Sequence, residues 1–139
     1  LVFTALALVP VGAHLFALPN KLQLDQADYF VAQGIYRGWA WLGTVLIGAI
    51  LTNAAAAITV RTQVLPFALT IVSTVLMLAT LTIFFAFTFP ANQATANWTT
   101  VPDDWQFLRR QWELSHAVNA ALTFVAFCSL AVSVLLSRR

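Results

Sequence analysis

"PFALTIVSTVLMLATLTIFFAFTF", residues 66–89, carries no charged side chain. A helix needs roughly 20 predominantly apolar residues to cross a hydrocarbon core, and this stretch supplies them. It opens on a proline, whose missing N–H costs nothing in a first helical turn, and it meets a second proline at Pro90. Three more stretches read the same way, at about 1–18, 29–58 and 104–137. The first is expected to stay in the membrane as a helix and to stop at Pro19-Asn20. The last is preceded by Asp103-Asp104, which suit an N-cap and a first helical turn. Composition agrees: the 139 residues are 60% hydrophobic and only 9% charged, against about 25% charged in soluble domains. So little polar surface cannot cover a domain in water, so the bilayer must be the solvent. The expected fold is all-α, one domain spanning 1–139 and built as a four-transmembrane-helix bundle.

Charge placement predicts its orientation. One side receives Arg61, Arg138 and Arg139 with no acid, and the other receives Lys21, Arg37, Arg109, Arg110 and all five acids. The purely basic side should be cytoplasmic by the positive-inside rule. Both termini are then expected in the cytoplasm, with loops 19–28 and 90–104 outside a bacterial inner membrane. Scattered basic residues form no patch for nucleic acid. The single cysteine, Cys128, excludes an internal disulfide and a zinc site built on several thiolates.

The fourth span places polar groups where a simple membrane anchor would not. At 100° per residue, Trp105, Arg109, Trp112, Glu113, His116, Asn119 and Thr123 share about a third of the helix circumference. This stripe descends into the membrane. His14 lies near the same end of the first span, and Gln33, Tyr36 and Arg37 near that end of the second. Gly34 and Gly38 form a small-xxx-small pair that permits close helix approach. Ionisable residues facing lipid are costly, so such groups should face one another. The expected result is a vestibule holding His14, Gln33, Arg37, Arg109, Glu113 and His116, under a lid formed by loop 90–104 with Asn92, Gln93, Asn97 and Trp98. A purely structural pairing of Glu113 with Arg109 or Arg37 is the plainer alternative. Thr52 and Asn53 are the only polar candidates expected in the inner half of the spans.

Several motifs resemble the anthrone oxygenase-like family of small four-helix membrane proteins, most of whose members have no assigned activity. They are Pro90-Ala91-Asn92-Gln93, then Asn97-Trp98, then Trp105 with Leu108-Arg109-Arg110-Gln111-Trp112-Glu113 and His116. "HLFALPNKL" (14–22) and "QGIYRGW" (33–39) resemble a bacterial branch of it. Where that family often has a basic residue after the histidine, this chain has Ala117-Val118-Asn119. The resemblance implies an oxygenase that converts an anthrone-like aromatic to its quinone with molecular oxygen as co-substrate and no cofactor. On that reading His116 is the general base, with a pKa expected near neutrality. Glu113 orients it, and Arg109, Arg37 and Asn92 stabilise the developing enolate. Trp98, Trp105 and Trp112, with Gln33 and Tyr36, would bind a flat hydrophobic substrate that arrives from the lipid. Two other readings stay open. One is a haem or metal ion held by His14 and His116. The other is a non-enzymatic accessory subunit docking on larger membrane proteins, with the Phe-rich run 83–89 or the glycines Gly38, Gly43 and Gly48 as docking faces, although internal bundle packing is their simpler reading.

Overall fold

A computed structural model describes residues 1–137. Arg138 and Arg139, expected on the cytoplasmic side, lie outside the described residues. The chain is all-helical, with no strand among the described residues. Its elements are α1 (Val2–Lys21), α2 (Gln26–Gln33), α3 (Gly43–Thr59), α4 (Val64–Ile83), α5 (Phe89–Ala94) and α6 (Trp105–Ser137). A π-helical turn at Phe84–Thr88 joins α4 to α5, and two 3-10 turns, Gly34–Tyr36 and Trp39–Leu42, join α2 to α3. Four helical stretches are long and apolar enough to cross a membrane: Val2–Lys21, Trp39–Thr59, Val64–Ala94 and Trp105–Ser137. They close into a ring, in which α1 packs on α3 and α6, and α4 packs on the same two.

The spans differ from those expected in their ends. The first helix runs through Pro19 to Lys21, because proline's fixed φ is helical and only one backbone hydrogen bond is forgone. The third runs through Pro90 to Ala94, with Pro90 in the first turn of α5. The expected second span, 29–58, is two pieces. Residues 26–33 form a short surface helix whose N-cap, Asp25, accepts a hydrogen bond from the Asp28 amide at 2.9 Å. The chain then turns at Gly38, where φ is 86°, a conformation that favours glycine. A Cβ at Gly34 or Gly38 would meet nothing within 4 Å, so the pair is not the helix-packing site expected of it, whereas at Gly48 a Cβ would press on the Phe3 ring at 2.9 Å. Asp104 supplies its backbone carbonyl, not a side-chain cap, to the first turn of α6.

Burial is inverted relative to a soluble protein. Phe16, Trp41, Leu51, Val64, Phe85, Phe107 and Leu135 face outward, while Thr4, Asn53, Thr70, Ser73, Thr80, Thr88, Ser115, Thr123 and Ser133 are buried. Lipid solvates aliphatic side chains as well as a protein core does, so small residues and interhelical hydrogen bonds occupy the seams instead. Thr4 donates to the Asn53 carbonyl at 3.1 Å, and the Asn53 amide donates to Ser73 at 3.0 Å, tying α1, α3 and α4. Thr70 and Ser133 lie 2.8 Å apart, and Ser133 also donates to the Pro66 carbonyl, tying α4 to α6. The half of the bundle expected to be nearly free of polar groups thus holds several, each engaged with another. Phe85, Phe87 and Phe89 point outward, so the Phe-rich run does not fill the bundle interior. The chain is an integral membrane protein built as a helical bundle.

Candidate functional site

Where α1 ends and α6 begins, three elements bring ionisable groups together. His14 and Lys21 stand seven residues apart, two turns along one face of α1. Glu113 and His116 share a face of α6, with Trp112 beside them. Tyr29, Gln33 and Tyr36 come from α2 and the 3-10 turn after it, again at helical spacing. All but Tyr36 and His116, which are partly covered, are buried.

Glu113 is the centre. Its side chain is 1% exposed, and Lys21, 5% exposed, lies 2.8 Å from its Oε1. That distance makes an ion pair, although the ammonium sits off the angle of a hydrogen bond. The Tyr29 hydroxyl donates to the same oxygen at 3.0 Å and accepts a short hydrogen bond from the Gln33 amide. Tyr29 lies outside the membrane-spanning helices, and its phenol is held well above the usual value, by burial first and by the Glu113 carboxylate second. It therefore stays a proton donor to Glu113. Burial and the same carboxylate also raise the Tyr36 phenol. The Lys21 ammonium lies over the rings of Tyr36 and Trp112, 4.8 Å from each centroid, a cation–π arrangement that offsets part of its desolvation.

The two histidines are in ring contact, their centroids 4.2 Å apart. His14 also packs on Tyr36 at 4.3 Å, Trp112 at 4.8 Å and Trp39 at 5.6 Å. His116 stacks on Trp112 at 4.1 Å, and its Nδ1 lies 2.9 Å from the Trp112 carbonyl. A carbonyl only accepts, so Nδ1 carries the hydrogen and Nε2 presents its lone pair. Asn119, a turn further along α6, is buried with its Oδ1 unpartnered, as are His14 Nδ1, Gln33 Oε1 and Glu113 Oε2. Buried polar atoms are usually satisfied, and these four lie within the cluster and the turn below it.

The loop after α5 covers the cluster. Trp98 packs on Tyr29 at 5.3 Å and on Trp112 at 5.8 Å. The Asn92 carbonyl accepts from both indoles, Trp98 at 3.1 Å and Trp112 at 2.8 Å. Ala96, Asn97 and Trp98 all have positive φ (48°, 55° and 64°), an unfavourable left-handed turn for residues with a Cβ. The Thr95 hydroxyl, which accepts from the Trp98 amide, and the hydrogen bond from the Asn97 amide to the Asn92 backbone carbonyl, distinct from the side-chain oxygen that takes the indoles, hold it there.

The sequence-predicted residues separate into four groups. His116, Glu113, Trp112, Gln33, Tyr36 and His14 meet in the cluster, and Trp98 and Asn92 form its cover. Asn92 spends its acceptor on the two tryptophans, so it acts as a latch between loop and helix. Arg109 and Trp105 stand to one side: Arg109 donates to the Leu24 carbonyl at 2.8 Å and lies over the Tyr29 and Trp105 rings at 5.3 and 4.8 Å. Arg37 is exposed on the corner before Gly38, because the chain leaves α2 there, and it does not enter the cluster. Glu113 pairs with neither arginine. Its cation is Lys21, which the expected stop at Pro19-Asn20 assigns to the outer loop 19–28 but which the longer α1 carries into the cluster. The spacing of His14 and Lys21 was the available signal, and that of Tyr29, Gln33 and Tyr36 was the signal for Tyr29.

The expected open vestibule is instead filled by side chains. Two hollows flank it. One, of about 340 Å³, is lined by Leu22, Arg109, Arg110 and Leu114. The other, of about 220 Å³, is lined by Leu6, Val9, Pro10, Trp39, Leu42 and Val45. Imidazoles in ring contact leave no room for a haem macrocycle between them, so His14 and His116 do not fit an axial pair. Among the described residues no three His, Cys, Asp or Glu side chains gather as metal ligands. No family model, curated protein or solved structure matches this chain.

Proposed function

We propose that this chain is a membrane oxygenase of the anthrone oxygenase-like kind, acting on a flat, hydrophobic aromatic with an acidic benzylic C–H. The observation that carries the reading is the His116 imidazole. Its Nδ1–H is committed to the Trp112 carbonyl, which leaves its Nε2 lone pair free, and the Trp112 ring on which it stacks also carries the Lys21 ammonium that is paired with Glu113. A fixed tautomer with a free Nε2 is what a general base requires. In the proposed reaction Nε2 takes the benzylic proton. The resulting enolate is stabilised by the Lys21 ammonium and the Tyr29 and Gln33 donors, the role that Arg109 and Arg37 do not have the position to fill. The enolate gives its electrons to molecular oxygen, the carbon and oxygen join as a hydroperoxide, and loss of water leaves the ketone: one CH2 and one O2 become one C=O and one H2O.

Access from the lipid side favours the same reading. The apolar hollow between α1 and the Trp39–Leu42 turn opens among lipid-facing residues, and Trp39 in its wall packs on His14. A polycyclic substrate dissolved in the bilayer would slide along Trp39 towards the histidines. The orientation that goes with this proposal keeps both termini in the cytoplasm and the covered cluster on the opposite side.

The test is oxygen uptake by purified protein in lipid nanodiscs supplied with an anthrone. His116→Gln is expected to lower turnover by about 10²-fold or more, the scale of a lost general base, with the helical circular dichroism unchanged. Wild-type uptake in that variant, or no uptake by the wild type, would end the reading.

A further inference from the structure

The hollow beside α6, opposite the one at Trp39, lies on the other flank of the cluster, and its walls do not belong to the proposed reaction. Leu22, just past the end of α1, and Leu114 supply its apolar part, while Arg109 and Arg110 supply two guanidinium groups. Among the described residues neither arginine is ion-paired. Arg109 is held in place by the Leu24 carbonyl and two aromatic rings, yet its buried Nε has no partner. Arg110 is exposed. Glu113, the nearest carboxylate in sequence, is engaged by Lys21 and Tyr29. A fixed guanidinium and an exposed one, with leucines beside them on a helix seam, match an anionic oxygen head on an apolar tail. Guanidinium groups take phosphate oxygens in paired hydrogen bonds, and basic residues flanking a span attract anionic headgroups.

We infer that the α1–α6 seam at Leu22, Arg109, Arg110 and Leu114 binds the headgroup of an anionic phospholipid, with its acyl chain running down the seam past Leu114. The seam joins the two helices that carry Lys21 and Glu113, so an occupied site would clamp the buried ion pair from outside. The inference is independent of the oxygenase reading, and the experiment measures no turnover.

Protein is reconstituted in nanodiscs of phosphatidylcholine with a minor share of phosphatidylglycerol, and the lipids retained after gentle release are weighed by native mass spectrometry. One retained phosphatidylglycerol per chain, in preference to phosphatidylcholine, is expected. Arg110→Gln, at an exposed position that leaves the fold intact, should weaken that preference about fivefold, the factor that corresponds to about 1 kcal/mol per basic residue near an anionic lipid. A second arm adds millimolar inorganic phosphate. Retention unchanged by phosphate supports a lipid that needs both head and tail, while complete displacement would overturn it in favour of a free-anion site. Equal retention of the two lipids, or equal preference in wild type and Arg110→Gln, would also overturn it.

Discussion

At the scale of single residues, Tyr29 decides how the buried charge is closed. It is fully buried and gives its hydrogen to Glu113, although it comes from a short surface helix outside the spans. Its phenol is raised in the folded protein, so the fold keeps a proton that the unfolded chain loses near pH 10. The folded pKa exceeds the unfolded one, so this contribution is present below about pH 10 and is lost as pH rises beyond it. Tyr29→Phe should therefore cost about 2 kcal/mol near neutrality, the range for a hydrogen bond to a charged group. It should also make the decline in stability above pH 10 shallower than in the wild type. Unfolding midpoints in mixed detergent at pH 8 and pH 10.5 check both, and parallel losses in the two proteins would contradict the second. Ala96 offers the opposite sign. It has φ of 48° with its side chain exposed, so Ala96→Gly relieves left-handed strain of about 1 kcal/mol, and a small rise in the same midpoint is the expected outcome.

At the scale of elements, the seams are tied by short polar side chains in place of aliphatic interlocking. Asn53 is the clearest, since it bridges Thr4 on α1 and Ser73 on α4 from its place on α3. Asn53→Leu keeps the branched shape of the side chain and removes both bonds. Interhelical hydrogen bonds in membranes average about 0.6 kcal/mol, so a loss of about 1 kcal/mol in the unfolding free energy is expected, and a loss above about 3 kcal/mol would mean that the tie does more than join helices. These elements were legible in the sequence where lipid alone selects them: long apolar runs announced four spans. Their ends were not. Pro19 and Pro90 read as stops, yet each sits within continuing helix, because a missing N–H is a small defect when the rest of the turn is packed. The division of 29–58 was hidden for a different reason. Gly34 and Gly38 fit a helix-packing motif by spacing, and only the backbone shows that Gly38 is a turn.

At the scale of the whole molecule, the polar stripe on α6 was readable from periodicity, and so was its need for partners from other helices. Which partners was not readable, because that depends on helix ends and on the π turn at Phe84–Thr88, which re-registers the third span so that Thr88 meets Ser115. Because α1 runs on past Pro19 to Lys21, Glu113 pairs with Lys21 in place of an arginine, and that pair separates two views of the site. If the pair only fastens α1 to α6, its loss should matter for folding alone. Removing one partner leaves a buried charge uncompensated, which costs about 3–5 kcal/mol, so Lys21→Met should unfold readily in detergent. Lys21→Met combined with Glu113→Gln buries no charge and keeps the Tyr29 donor opposite an amide oxygen. Such neutral replacements of buried pairs are often tolerated, and the double variant should regain most of the lost stability. On the proposed oxygenase reading oxygen uptake should not return with it, since the enolate would then have no ammonium to meet. A double variant that is both stable and fully active would leave the pair as a structural fastening and take the cation out of the chemistry.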